Sequence, residues 1–203
     1  MASRPTVALV REPGENFARG ITGAGLGALV TRPGDPSRRG EAAAVAAVLA
    51  RHRPLVHIRP PGRLDGGDVL RVGGHVYIGR STRTNREGAE QLAEIVADQG
   101  LTSSPVMVDE VLHLKTGVTG LGDGRLLATA GMAARFPSAE VITVPDDEAY
   151  AANCLPIPGH LLVPAGSPRT QRRLLDLGYR VAAVEMSEFR KMDGGLTCLS
   201  LIW

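Results

Sequence analysis

Short apolar runs alternate with amphipathic helical stretches along this whole chain, and that alternation limits its fold more than any other feature. Residues 6–11 (TVALVR) and 26–32 (LGALVTR) read as strands, 42–49 as an Ala/Val-rich helix, and 55–59 as a returning strand. Residues 68–72 and 75–80 pair as a hairpin across Gly73-Gly74, a favoured two-residue turn. A helix follows, with Thr84 as its cap, Glu87 completing a capping box, and Ala89, Leu92, Ala93 and Val96 on one face before Gly100. A second helix spans 168–177 and is closed by Gly178; strands at 179–184 and 196–202 complete the pattern. The elements recur at roughly forty-residue intervals, which points to repeated modules. Periodicity leaves open whether their strands form an open sheet or a closed radial arrangement. No linker or low-complexity stretch interrupts residues 1–203, so the chain reads as one α/β domain.

Composition narrows the function classes. Only 3% of the 203 residues are aromatic, which leaves no platform for stacking bases, and a net charge of +2 with dispersed Lys and Arg argues against a nucleic-acid partner. Arg169, Arg172 and Arg173 read as a solvated helix face. No apolar run approaches a membrane span and residues 1–10 lack a signal-peptide core, so a cytoplasmic location without a membrane partner is expected. Cys154 and Cys198 form no metal spacing and no disulfide framework; both are expected as free thiols.

Few residues offer chemistry. Cys198 closes the stretch 193–198 (DGGLTC), where two glycines let the backbone approach a ligand, although local sequence alone favours a buried core thiol; for Cys154 that reading is stronger still. His113, read as part of a strand, projects opposite to Leu112 and Leu114. Asp65 and Asp68 flank Gly66-Gly67 in what is either an Asp/Gly turn or a turn that exposes a carboxylate to a site. Arg38 and Arg83 each precede a predicted helix and together could clamp a carboxylate. Asp109-Glu110 and Asp146-Asp147-Glu148 read as solvated loop charges.

In order along the chain, the stretches 31–34 (TRPG) with 37–39 (SRR), 64–69 (LDGGDV), 83–85 (RTN), 112–115 (LHLK), 151–154 (AANC) and 194–198 (GGLTC) resemble the dimethylarginine dimethylaminohydrolase family of guanidine-modifying enzymes. The resemblance implies a pentein fold, an α/β propeller of pseudo-fivefold repeated modules around a substrate channel. It implies Cys198 as nucleophile, His113 as general acid/base and Asp65 as the carboxylate that orients His113. Arg38 and Arg83 would grip the substrate carboxylate, Met192 and Asp193 would meet the substrate, and Ile21 would sit at a lid. The implied substrate is a methylated arginine, a small molecule, with no metal or organic cofactor required. Arginine itself is an alternative substrate, and a binding protein that retains the thiol and histidine without turnover is an alternative of another class.

The chain departs from the family pattern at one place. The family carries a helix and strands between its lid and the Arg-Pro-Gly segment, ending in a Phe-Val-Glu-Asp stretch whose carboxylates bind the substrate's cationic groups. Here Gly25-Leu26-Gly27 runs directly into Ala28-Leu29-Val30, about 50 residues short of the family length. One module is therefore expected to be incomplete and catalysis to be weak. The open edge would offer a surface that a second copy of the chain could cover, giving a homo-oligomer.

Overall fold

The computed structural model of the chain describes residues 7–8, 28–52 and 54–199. They form four three-stranded sheets, all built on one plan. In the first, β1 (Val7–Ala8) is antiparallel to β2 (Ala28–Val30), and α1 (Glu41–Leu49) carries the chain to β3 (Leu55–His57), parallel to β2. The second uses β4 (Val69–Val72), β5 (His75–Arg80), α2 (Arg86–Ala97) and β6 (Thr102–Met107). After the short helix α3 (Leu114–Gly117) come β7 (Val118–Gly120), β8 (Leu126–Ala128), α4 (Ala130–Ala133) and β9 (Val141–Thr143). The fourth consists of β10 (Leu155–Ile157), β11 (His160–Pro164), α5 (Pro168–Asp176) and β12 (Val181–Val184), followed by α6 (Ser187–Arg190).

Each module is thus an antiparallel strand pair whose second strand gains a parallel neighbour through a helical crossover, since a parallel pair cannot be closed by a tight turn. The repetition expected from the sequence is present; none of the four sheets closes on itself. Their cores lie between modules as much as within them. Leu29, Ile58 and Leu64 pack with Val76, Leu92 and Val96, while Leu70 and Val106 pack with Leu114, Val118 and Leu126. A third cluster joins Leu127 and Ile142 to Leu161, Val163 and Leu174. No helix among the described residues is long and apolar enough to cross a membrane.

Local signals explain several elements. Val72 and His75 face each other across Gly73-Gly74, and Gly73 has φ +55°, a conformation costly for other residues. α2 buries Ala89, Leu92 and Val96 and ends at Gly100 with φ +75°. In α5, Pro168 sits in the first turn, Leu174 is buried, and Gly178 (φ +89°) follows the end.

Other expectations need correction. The cap of α2 is Asn85, whose side chain accepts from Gly88 N at 3.0 Å and also from Arg63 N at 2.6 Å. Thr84 is buried and its hydroxyl is engaged elsewhere. Asn85→Ala is expected to destabilise the protein by about 1–2 kcal/mol and Glu87→Ala by much less. Urea denaturation showing the reverse order would restore the capping box. The strand expected over 196–202 is a 3-10 turn across Leu196–Leu199, residues 200–203 lying outside the described set. His113 has extended backbone (φ −141°, ψ 158°) but stands as the N-cap of α3 rather than within a strand. Glu148 is buried, because its carboxylate accepts from Arg169 N at 3.0 Å and Thr170 N at 2.7 Å at the start of α5. Arg172, by contrast, is exposed and pairs with Asp176 one turn on, as a solvated helix face should.

Candidate active site

The turn that carries Asp65 organises one half of the site. Asp65 is extended and almost fully buried, and a 3-10 turn over Gly66–Asp68 leads from it into β4. Its Oδ1 accepts from Gly34 N at 2.8 Å, and its Oδ2 from His113 Nε2 at 2.9 Å and Arg38 Nη1 at 3.3 Å. Burial pushes this carboxyl up. The hydrogen bonds from His113 and Gly34 and the charges of His113 and Arg38 outweigh that, leaving its pKa below the ordinary value. An ionised Asp65 fixes the histidine tautomer: Nε2 carries the proton, and the neutral ring presents Nδ1 as its acceptor. The imidazole also needs Gly67, where a Cβ would lie 2.7 Å from His113 Cγ.

Asp68 supports this arrangement from behind. It is fully buried and accepts three hydrogen bonds: Ser81 Oγ at 2.7 Å, Thr84 Oγ1 at 2.6 Å and Leu114 N at 2.9 Å. Burial raises its pKa against the opposing charge of His113 and these donors. Thr84 Oγ1 accepts in turn from Asp65 N at 3.1 Å. One threonine hydroxyl therefore ties the two aspartates together, and Asp68 holds the start of α3, which delivers His113 to Asp65.

Arg38 and Arg83 approach from the loops before α1 and α2. Arg38 bonds Asp65, whereas Arg83 Nη1 meets Asp35 Oδ2 at 2.8 Å. Arg83 and Ser37 hold the Asp35 carboxyl down to about 2. Gly34 joins the two pairs: its N–H serves Asp65, and a Cβ on it would lie 2.3 Å from the Arg83 carbonyl oxygen.

The thiol side is built from the end of the chain. Cys198 is half-buried in the 3-10 turn, its N–H bonded to Gly195 O at 3.0 Å. Asn153, buried at the end of the 3-10 helix Asp146–Ala152, reaches both sides of the site. Its Nδ2 donates to Lys115 O at 2.7 Å and Thr197 Oγ1 at 2.9 Å, and its Oδ1 accepts from Thr197 N at 3.0 Å. Desolvation lowers the Lys115 ammonium pKa, while the charges of Cys198 and Asp68 act to raise it. Lys115 and Cys198 therefore sit within electrostatic reach of each other.

The structure thus brings Asp65, His113 and Arg38 into direct contact and links Cys198 to the His113 segment through Asn153. Arg83 joins through the Asp35 loop. Met192 is half exposed, and the exposed Asp193 adopts φ +54°, turning the chain after α6 toward the thiol. Ile21 lies outside the described residues. Cys154 is the inert core thiol expected of it, fully buried and pushed up to about 12 by desolvation. Among the described residues, no group of three His, Cys, Asp or Glu side chains could hold a metal ion. Sequence reasoning gave Lys115 and Asn153 no role, and considered Asp68 only as one of two carboxylates flanking a turn. A buried amide between Ala152 and Cys154, and a lysine two residues after the histidine, were the signals available.

No protein-family model matches the chain. A dimethylarginine dimethylaminohydrolase of Pseudomonas aeruginosa is 44% identical to it over 178 residues, which cover 86% of this chain and 70% of the relative. A solved structure of that organism's enzyme, a cysteine-to-serine mutant complexed with citrulline, superposes with a TM-score of 0.83 at 43% identity over 86% of this chain and 70% of that one. A histidine-to-glycine variant of dimethylarginine dimethylaminohydrolase, solved as an adduct with S-methyl-L-thiocitrulline, gives the same TM-score, identity and coverage. With its thiol, histidine–aspartate pair and paired arginines in this arrangement, the chain belongs to the dimethylarginine dimethylaminohydrolase family.

Proposed function

We propose that the chain hydrolyses an Nω-methylated arginine to citrulline and an alkylamine through a covalent intermediate on Cys198. The observation that carries this reading is the buried Asp65–His113 pair, bridged through Asn153 to the segment that bears the thiol. A guanidinium carbon is resonance-stabilised and poorly electrophilic, so a thiolate suits it better than an alkoxide. The positive charge of the bound substrate favours a thiolate attacker. The Cys198 proton passes to His113 Nδ1 as Sγ attacks and forms a C–S bond; His113 then gives that proton to the departing dimethylamine as its C–N bond breaks. The resulting thiouronium is opened by water that gives a proton to His113, which releases citrulline and restores the thiol. Asp65 holds the imidazole in one tautomer and supports its positive form throughout.

In the same reading, Arg38 and Arg83 exchange their present carboxylate partners for the amino-acid carboxylate of the substrate, for which planar guanidinium forks are well shaped. Met192 and Asp193 line the approach. The four ββαβ units and the remainder of the chain form one domain over 1–203, arranged radially as an incomplete five-module propeller. Support for this comes from the common plan of the sheets and from the cores shared by successive modules.

Substrate choice is tested by supplying purified protein with dimethylarginine or arginine and measuring citrulline together with the released amine. Dimethylarginine should give citrulline and dimethylamine in equal amounts, and faster than arginine gives citrulline and ammonia. Preferential turnover of arginine would move the protein to a different guanidine substrate.

A further inference from the structure

The seam between the acid/base segment and the nucleophile segment is closed by one buried side chain. Asn153 uses both amide donors and its acceptor on partners far away in sequence: the Lys115 carbonyl, the Thr197 hydroxyl and the Thr197 N–H. We infer that Asn153 is a positioning residue, a clip that sets the spacing of Cys198 from the His113 segment. The inference rests on the assignment of Cys198 and His113 given under Proposed function.

The amide is the only side chain of this size that meets all three demands. An aspartate would offer no donor to the Lys115 carbonyl and would set two oxygens against each other in a buried place. A leucine would leave the Lys115 carbonyl and the Thr197 N–H without their partner. The chain also approaches the clip closely from above. A Cβ on Gly195 would lie 2.7 Å from Asn153 Cγ, so the loop that leads into Cys198 rests on the amide at a distance only glycine permits. Tyr150, one turn earlier on the same 3-10 helix, pins the preceding residue by donating from its hydroxyl to Gly194 O at 2.6 Å. Two side chains of one short helix therefore hold the backbone three and four residues before the thiol and the residue beside it.

The clip has a geometric consequence. By bonding the Lys115 carbonyl and both polar groups of Thr197, Asn153 ties the backbone two residues after His113 to the backbone one residue before Cys198. Asn153 therefore governs where the sulfur sits relative to the acid/base segment, without touching substrate.

The test uses the full chain with Asn153→Asp, Thr197→Val and Thr197→Ser. Thr197→Val removes the hydroxyl that receives Nδ2 but keeps the N–H that donates to Oδ1; Thr197→Ser restores the hydroxyl. Two readouts are followed: iodoacetamide alkylation of Cys198 at neutral pH, resolved from Cys154 by mass spectrometry, and kcat and KM for dimethylarginine. In Asn153→Asp and Thr197→Val, alkylation should slow by about fivefold or more as the sulfur loses its place beside the acid/base segment. kcat should fall by about tenfold or more with KM within about twofold, the pattern of lost transition-state geometry. Thr197→Ser should recover most of both. Folded variants that melt lower but keep wild-type alkylation and kcat would reduce Asn153 to a structural residue and overturn the inference, as would faster alkylation. Should Asn153→Asp fail to fold, Thr197→Val decides alone. A wild-type protein that makes no citrulline would sink the hydrolase reading, while the alkylation ratios would still decide the clip.

Discussion

Cys198→Ala is expected to bring citrulline formation from dimethylarginine to the level of buffer alone, while citrulline itself still binds within about twofold of wild type. In the proposed mechanism the thiol makes and breaks the covalent bond between protein and substrate, and the other cysteine is not placed to replace it. Cys154, the other cysteine, is sealed in the core between β9 and β11 and pushed up to about 12. His113→Ala should lose about 10²–10⁴-fold in kcat, the usual worth of a positioned acid/base. Asp65→Asn should lose less in kcat, and for a different reason. An amide at that position can donate to His113 and so favour the wrong tautomer, while Gly34 N–H and Arg38 lose an anion that three donors now share. More than about one part in a hundred of wild-type turnover in Cys198→Ala, well above an uncatalysed background, would remove the thiol from the mechanism.

The second large effect concerns the family segment that the resemblance would place between Gly27 and Ala28. A guanidinium drawn out of water needs anionic partners, and burying it without them costs several kcal/mol. Three buried or paired carboxylates around the site already serve other groups: Asp65 meets His113 and Arg38, Asp68 meets Ser81, Thr84 and Leu114, and Asp35 meets Arg83. Among the described residues, the further carboxylate named at the substrate approach is the exposed Asp193. The resemblance implies that a Phe-Val-Glu-Asp stretch of the family would supply such carboxylates, and no such stretch occurs in this sequence. The matched P. aeruginosa relative, of which only 70% is covered, is correspondingly longer. Turnover by the 203-residue chain is therefore expected below about 1 per second, and insertion of the relative's segment should raise it by about 10²-fold, equivalent to roughly 2.7 kcal/mol of barrier. Citrulline production by the unaltered chain at an ordinary enzyme rate would show that it completes the pocket by other means.

Where a structural feature is decided within a few residues, the sequence displays it. Gly73-Gly74 marks a hairpin because the turn's geometry is a property of those two residues, and Gly100 and Gly178 mark helix ends for the same reason. Thr84 shows where such reading stops. Its hydroxyl could cap α2, but Asp68, sixteen residues earlier, receives it at 2.6 Å, and Asn85 takes over the cap. A buried carboxylate outbids a helix terminus, and no local pattern reveals that competition. Glu148 looks like one of three loop charges until α5 places two backbone N–H groups on it. Asp65, His113, Arg38, Arg83 and Cys198 were legible through motifs that occur in family order. Asn153, Lys115 and Asp68 stood inside those same motifs, but their work lies in bonds to distant segments. The strand expected around Cys198 failed because an apolar run at a chain end can also turn as a 3-10 helix when Asn153 holds its backbone.

The hydrogen bonds that define the site join residues 31, 48, 38 and 44 positions apart, linking Gly34 to Asp65, Asp65 to His113, Lys115 to Asn153, and Asn153 to Thr197. Each of these bonds reaches across roughly one module's length of chain and no further, so the site is a relay of short-range closures instead of one long-range closure. The entropy of closing a loop grows only slowly with its length, and a series of similar loops can form in any order. The hairpins and crossovers are even more local, so the modules can form first and the relay is complete only when the last neighbours have docked. During refolding, the chemistry of Cys198 would therefore be among the last properties to appear, after the secondary structure and most of the core are in place.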